Sequence, residues 1–599
     1  VLQLFLAGLF MYIYVRVIGV SRFGAIVAAI TYMLSAFMIV SVVFPMIVAA
    51  AAWLPLLLAA IELTIRKGED KAAIPYAILG AIALGFQVLA GHVEITIYVL
   101  LVMGFYAACR LGNLWRKRRL RQVGRSAFWL AAMVALGLGV GAVQFIPLYE
   151  LVRTSFRQDS ATYQQVIGWA YPARRLIAFL VPDFFGNPSH HSYFDVFSRQ
   201  IVAVTRNYYG HPINSIYWGI KNYVEGGSYV GILPLILAIV AVLGARRNAK
   251  GRSYVLIFTI LALISLAFAF GTPLYALLYY GLPGVKQLHS PFRWIFPYTL
   301  SVAVLAGFGA DGLKRERKAT RLLGWVAFLA GLVLLFALAL GFLFPTFIVP
   351  LAEKAMLSLA KAPEAFADGR VFFSYQFRNL AIFGLMLAAS GGVLLLGRRP
   401  RWKPLALIVL ALDLLIFGYG FNPAVDPKLL DFKPPVVEFL QQDPELFRIT
   451  SFDTQSQKPF IANAGMFYGL SDIRGYDSII PKQYADYMGL IEEQGELQFN
   501  RIARLRHPES LDSPLLDLLN VKYVLTLEEI RNPKYTLVYD GEVWVYRNEE
   551  CMPRAFALPT SCAVVADDVV EALRTYDPRR YVILERRATS NKQQVEEPA

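Results

Sequence analysis

The stretch Leu322-Leu-Gly-Trp-Val-Ala-Phe-Leu-Ala-Gly-Leu-Val-Leu-Leu-Phe-Ala-Leu-Ala-Leu-Gly-Phe-Leu-Phe344 contains no charged residue and no side-chain hydroxyl or amide. A helix rises about 1.5 Å per residue, so a run of this length crosses the roughly 30 Å of hydrocarbon in a bilayer. Working outward, similar apolar runs occupy approximately 1–18, 23–42, 44–62, 72–90, 93–109, 127–147, 229–245, 254–271, 294–312, 322–349, 377–397 and 404–420. The boundary between the second and third, at Pro45, is weakly marked. The reading is a mostly α polytopic membrane protein of about twelve helices, because only helices or closed barrels satisfy their backbone groups in lipid.

Composition agrees. The chain has 599 residues, 57% of them hydrophobic and 17% charged, and its mean hydropathy is +0.49. These values exclude a disordered chain, a fibrous repeat and an ordinary soluble enzyme. The net charge of +15 would suggest nucleic acid in a soluble protein. Here the basic residues sit between apolar runs, where they set orientation, so no nucleic-acid partner is expected. Three cysteines are too few for a disulfide framework or a cysteine-based zinc site. Cys551 and Cys562 are open to pairing or to remaining thiols. No signal peptide is visible, and Val1 lies already inside an apolar segment, so the chain reads as lacking its true N-terminus.

The basic connections are Arg16/Arg22, Arg66 to Lys71, Arg110 to Arg125, Arg246 to Arg252, Lys314 to Arg321 and Arg398 to Lys403. All fall on one side if the twelve spans alternate, and the positive-inside rule makes that side cytoplasmic. The loops near 148–227, 272–293 and 350–376 then lie outside, with everything after Gly420. The division expected is 1–420 in the membrane and 421–599 as an extracytoplasmic α/β domain. In that domain Val436–Gln442 reads as a helix. Strands are expected at Phe447–Phe452, Val521–Thr526, Tyr535–Tyr539, Val543–Tyr546 and Tyr581–Leu584, with Asp540-Gly541 as a hairpin turn. The last dozen residues, polar and aperiodic, read as disordered.

Chemistry is expected where polar residues meet the outer boundary, since an ionisable group there is costly to bury. His92 and Glu94 flank a tight outward turn, as solvated turn residues or as the lining of a cavity. The long outer loop interleaves aromatic residues with Glu150, Arg153, Asp183, Asp195, Arg206, Tyr223 and Glu225. Such a pattern suits sugar rings or an interfacial aromatic belt. Arg174–Pro182 reads as an amphipathic helix lying on the bilayer. His190, His191, Asp195 and His211 match no strong metal pattern, and no metal is assigned. His289 and Arg293 precede the ninth span, where Arg293 can grip a phosphate or snorkel to headgroups. There is no Walker loop, dinucleotide fingerprint or serine elbow.

Several phrases resemble the YfhO family of bacterial multi-pass membrane proteins. They are Gly91-His92-x-Glu94, Val181-Pro-Asp-Phe-Phe-Gly186, Tyr223-Val-Glu-Gly-Gly-Ser-Tyr-Val-Gly-Ile-Leu-Pro-Leu235, Ser290-Pro-Phe-Arg293 and Ala306-Gly-Phe-Gly-Ala-Asp-Gly312. In the tail, Arg474-Gly-Tyr-Asp-Ser478, Leu518–Val524, Val545-Tyr-Arg-Asn548 and Met552-Pro-Arg-Ala-Phe556 continue the likeness. The resemblance implies a GT-C-like helical bundle. It also implies transfer of a sugar from a polyprenyl-phosphate carrier to an envelope glycan or glycolipid, with no cofactor beyond that donor substrate. It implies a first outer loop, ahead of Val1, that carries the acidic catalytic residue. Among the residues present, Glu94 and Asp183 are the candidate carboxylates, with His92 beside them. Arg293, helped by His289 or Arg153, is the candidate for the phosphate, and Arg206, Tyr223 and Glu225 for substrate contacts. Two rival readings are a non-catalytic membrane subunit whose outer domain docks a membrane-protein partner, and a transporter of lipid-linked sugars. The second predicts paired charges deep in several spans and an internal repeat. Few charges lie deep, with Glu62 and Asp413 near or within spans, and no repeat is evident.

Overall fold

A computed structural model describes residues 1–156, 161–245, 251–282, 284–288, 290–313, 318–397, 402–422 and 425–586. The chain divides into two compact units: Val1–Ile146 with Ala161–Ala424, and Pro147–Ser160 with Val425–Ala599. The expected disorder of the last dozen residues falls outside the described residues, as do the basic clusters at 246–250, 314–317 and 398–401.

The first unit is a helical bundle. Among the described residues, nine helices are long and apolar enough to cross a membrane, and the protein is accordingly a multi-pass helical membrane protein. The remaining three expected spans are also helical but shorter, at Leu2–Val17, Ile232–Gly244 and Trp402–Gly418. The join at Pro45 is a true break. Phe44 leaves helical geometry and Pro45 starts a new helix, where its missing N–H costs nothing. The run expected at 127–147 ends earlier, at Val140, and a separate helix, Ala142–Arg153, follows it.

Position within the bundle follows from side-chain burial. The span Pro291–Gly312 is 89% buried by protein, whereas Lys318–Leu343 is 22% buried and presents Leu322, Val333 and Phe336 outward. The first is therefore the central post and the second a lipid-facing stave. Close approach to the post depends on a small residue. A Cβ on Gly309 would lie 1.9 Å from the backbone oxygen of Leu237, so only glycine lets the helices Ile295–Gly312 and Ile232–Gly244 pack this tightly.

The deep carboxylates are fully engaged. Glu62 accepts from Arg66 Nε at 2.7 Å, from Arg110 Nε and Nη2 at 2.7 and 2.9 Å, and from the hydroxyls of Tyr106 (2.8 Å) and Tyr254 (2.7 Å). It ties three helices together. Asp413 accepts from the Tyr229 hydroxyl and from the backbone N–H of Ile232 at 2.8 Å, capping the start of Ile232–Gly244 from another helix. Both are thus structural fasteners, a role that a buried charge fills only when its lone pairs are satisfied.

The second unit holds a four-stranded mixed sheet in the order Arg448–Ser451, Val521–Thr526, Trp544–Asn548, Tyr535–Asp540. The first pair is parallel and the other two are antiparallel. All four expected strands are present, with the turn at Gly541 closing the hairpin. The helix Pro435–Gln441 packs Val436, Val437 and Leu440 against the sheet residues Ile449, Leu525 and Val545. The fifth expected strand, Val582–Glu585, pairs in parallel with Ala563–Ala566, which the sequence pattern did not reveal. Cys551 and Cys562 are both free thiols.

Replacing Gly309 by Ala is expected to cost roughly 1–3 kcal/mol, since a backbone oxygen cannot step aside. Thermal unfolding in detergent checks this, with Gly104→Ala as the control, because a Cβ at Gly104 meets nothing within 4 Å.

Candidate functional site

Two groups of polar side chains lie at one end of the helical unit. The first forms around the turn at Gly91, whose φ of +80° suits glycine. His92 is the N-cap of Val93–Arg116, and its Nδ1 accepts the backbone N–H of Ile95 at 3.2 Å. Burial, together with the nearby Arg293 charge, lowers the His92 pKa to about 3. Arg293 reaches in from the turn before the central post. Its Nη1 is 3.2 Å from His92 Nε2, and its Nε is 2.9 Å from Glu94 Oε2. The second contact is an ion pair in distance but lacks the alignment of a hydrogen bond, because Nε has no hydrogen-bond acceptor. Arg293 Nη1 and His92 Nε2 are thus in hydrogen-bond contact, with the donor set by the ring tautomer. Tyr98, one turn into the helix, braces the site by donating to the Ser290 backbone oxygen at 3.0 Å and approaching Glu94 at 3.4 Å.

Glu225 belongs to the same neighbourhood. It sits in the short turn Val224–Gly226 that packs against Pro291–Trp294. Burial pushes its carboxyl above the ordinary range, and Glu94 pushes the same way. Lys221, Arg293 and Arg175 oppose the shift. Its backbone oxygen accepts the Tyr171 hydroxyl at 2.5 Å.

The second group centres on Asp183. Its Oδ1 accepts the Tyr223 hydroxyl at 2.6 Å and Asn187 Nδ2 at 3.2 Å, and Asn187 also donates to the Tyr223 oxygen at 3.0 Å. Burial raises its pKa, against the pull of His190, Tyr223 and Arg378. His190 is lowered by burial, and its Nδ1 lies 2.8 Å from the Tyr375 hydroxyl. Helix Gly369–Leu395 clamps this loop: Gln376 Nε2 donates to the Phe184 oxygen at 2.7 Å and Asn379 Nδ2 to the Asp183 oxygen at 3.1 Å. A small recess opens beside it, lined among others by Asp183, Tyr229, Arg378, Asn379 and Asp413.

The structure thus brings His92, Glu94, Arg293 and Glu225 together, and places Asp183 with Tyr223 in the adjoining group. The other expected residues do not join them. Arg206 is exposed on a tight loop, where its backbone pairs with Pro212. Arg153 belongs to the second unit, with its guanidinium 5.8 Å above the Tyr149 ring. His289 lies outside the described residues. His190, His191, Asp195 and His211 do not converge either. Asp195 is taken by Arg370 at 2.6 Å and His191 faces the Asn214 oxygen. The Arg174–Pro182 segment is a short 3-10 turn, Ala173–Phe179, and not a surface helix. Arg175 points into the protein while Leu176 and Leu180 are exposed. Sequence reasoning missed Tyr98, Arg175, Arg378 and Asn379. The cluster Gln376-Phe-Arg378-Asn379 at the head of an apolar run was the available signal.

The His92 shift has a sign that can be checked. Its folded pKa lies below the unfolded value near 6.5, so the unfolded chain binds the proton more readily as pH falls. Wild-type protein should therefore lose about 1–2 kcal/mol relative to His92→Asn between pH 6.5 and pH 5, while the two keep a constant difference above pH 7.5. Melting temperatures across that range provide the measurement, Asn being able to retain the helix cap. Set beside known proteins, the chain matches no family model and no curated sequence.

Proposed function

We propose that the protein is a membrane glycosyltransferase that moves a sugar from a polyprenyl phosphate to a hydroxyl of an envelope glycan or glycolipid. It would act at the outer face of the bacterial cytoplasmic membrane, with residues after Gly420 outside. The resemblance to the YfhO family motivates the reaction, and the one-sided basic connections motivate the orientation. The observation that carries the reading is the Arg293 guanidinium, whose buried Nε–H has no acceptor, beside His92 at the end of an apolar helix.

An oxyanion docked against this guanidinium accepts charge-assisted bonds from it, with His92 Nε2 beside it. In the transfer, the acceptor oxygen attacks the anomeric carbon and the carbon–oxygen bond to phosphate breaks. The electron pair leaves on the phosphate oxygen, where Arg293 and His92 stabilise it. The acceptor proton passes to a carboxylate. Glu94 is committed to Arg293, whereas Glu225 has a raised pKa and no ion pair among the described residues, which makes it the better general base. Asp183 and Tyr223 would hold sugar or acceptor hydroxyls beside it.

With a polyprenyl-phosphate sugar and purified full-length protein, Arg293→Ala should reduce turnover by about 100-fold or more, and Arg293→Lys by less. Glu225→Gln should lower kcat by about 100-fold with donor KM little changed. Wild-type activity should fall as pH drops through the raised Glu225 pKa, because the base must be ionised. Full turnover in Arg293→Ala would remove the phosphate role, and full turnover in Glu225→Gln would remove the base.

A further inference from the structure

Helix Gly369–Leu395 has no Asp, Glu, Lys, Arg or His from Asn379 to its end. Those 17 residues rise about 25 Å, most of the thickness of hydrocarbon, so Arg378 stands at the edge of that layer. Its side chain is exposed and makes no hydrogen bond or ion pair among the described residues. Arg370, two turns earlier on the same helix, is by contrast paired with Asp195 at 2.6 Å. The carboxylates nearest Arg378 are engaged elsewhere. Asp183 accepts from Tyr223 and Asn187 and feels the Arg378 charge only through space. Asp413, which shares the recess, accepts from Tyr229 and the Ile232 N–H.

Arg378 borders a recess between this helix and Trp402–Gly418, with Ile382, Phe383, Ile416 and Phe417 among its walls. Ile382 lies one turn beyond Arg378, and Leu385 continues the same face. On the other helix Leu412 lies one turn before Ile416. Leu385 and Leu412 are 54% and 49% exposed, so the recess opens onto the lipid-facing surface of both helices. The arrangement is an open crevice with an unpaired cation at the edge of hydrocarbon and an apolar strip leading away from it.

We propose that Arg378 and this crevice form a binding site for one phospholipid of the bilayer, with its phosphate on the guanidinium and an acyl chain along Ile382, Leu385, Leu412 and Ile416. A bilayer lipid fits because its anion and its hydrocarbon follow each other in the same order as the cation and the strip. The phosphate stays outside the crevice, against an exposed side chain, and needs no enclosed cavity. The site is on a different helix from Arg293, and the assignment stands whether or not sugar is transferred there.

The test uses delipidated full-length protein in uncharged detergent, titrated with phosphatidylglycerol and, separately, with inorganic phosphate, with bound ligand counted by native mass spectrometry. The tightest phosphatidylglycerol site should weaken at least about tenfold in Arg378→Gln and recover in part in Arg378→Lys. Ile416→Trp, which fills the crevice from its exposed side, should weaken the same site about threefold to fivefold without lowering the melting temperature, and it decides the matter if Arg378→Gln does not fold. Inorganic phosphate should bind far more weakly than the lipid. Lipid binding unchanged in Arg378→Gln or in Ile416→Trp overturns the proposal. So does inorganic phosphate that binds at Arg378 as tightly as the lipid, since the crevice would then contribute nothing. Sugar transfer is assayed separately, so the loss of one conclusion leaves the other readable.

Discussion

The central post carries charge only at its two ends. From Trp294 to Ala310 it has no Asp, Glu, Lys, Arg or His, while Arg293 stands at one end and Asp311 at the other. Eighteen residues of helix separate them by about 27 Å, close to the thickness of hydrocarbon. Neither end group is left alone. Asp311 accepts the backbone N–H of Ser21 at 2.7 Å and also its hydroxyl, fixing the start of helix Arg22–Met33. Arg293 meets Glu94 and His92. The bundle is therefore registered by one inextensible rod whose termini must each find polar company, and the candidate site is built at one of those termini.

Charge in this bundle falls into two kinds. Glu62, Asp413, Asp195 and Asp311 are saturated by donors from other helices or loops, and their removal would loosen the frame. Arg175 and Arg293 are incompletely matched, each with a buried Nε–H that has no acceptor. Folding tolerates such mismatch only where the rest of the structure holds the groups in place, and a ligand can then relieve it.

Much of the frame was readable from residue order. Long apolar runs mark helices whatever surrounds them, because lipid demands internal hydrogen bonding, and alternation with turn signals marks the strands around Asp540-Gly541. The site was half readable. His92, Glu94 and Arg293 stand out because charge at the edge of an apolar run is rare. Arg175 did not, since its neighbours Arg174, Leu176 and Leu180 give the segment an amphipathic look, and only three-dimensional packing turns one arginine inward. Asp183 was readable as a candidate carboxylate, but not its partners Tyr223 and Asn187, 40 and 4 residues away, which meet on one of its oxygens. Short strands such as Ala563–Ala566 carry too few residues for a period to register.

The second unit is discontinuous in sequence. The backbone N–H of Phe156 donates to the Ile480 oxygen and that of Lys482 to the Thr154 oxygen, so an early segment of the chain is stitched into a domain made mostly of its tail. During synthesis the early segment must wait for more than three hundred residues, including the later spans, before its partner emerges. The second unit can reach its finished state only after the residues near 480 have been made. A ribosome stalled before residue 480 would leave that early segment without the chain it pairs with.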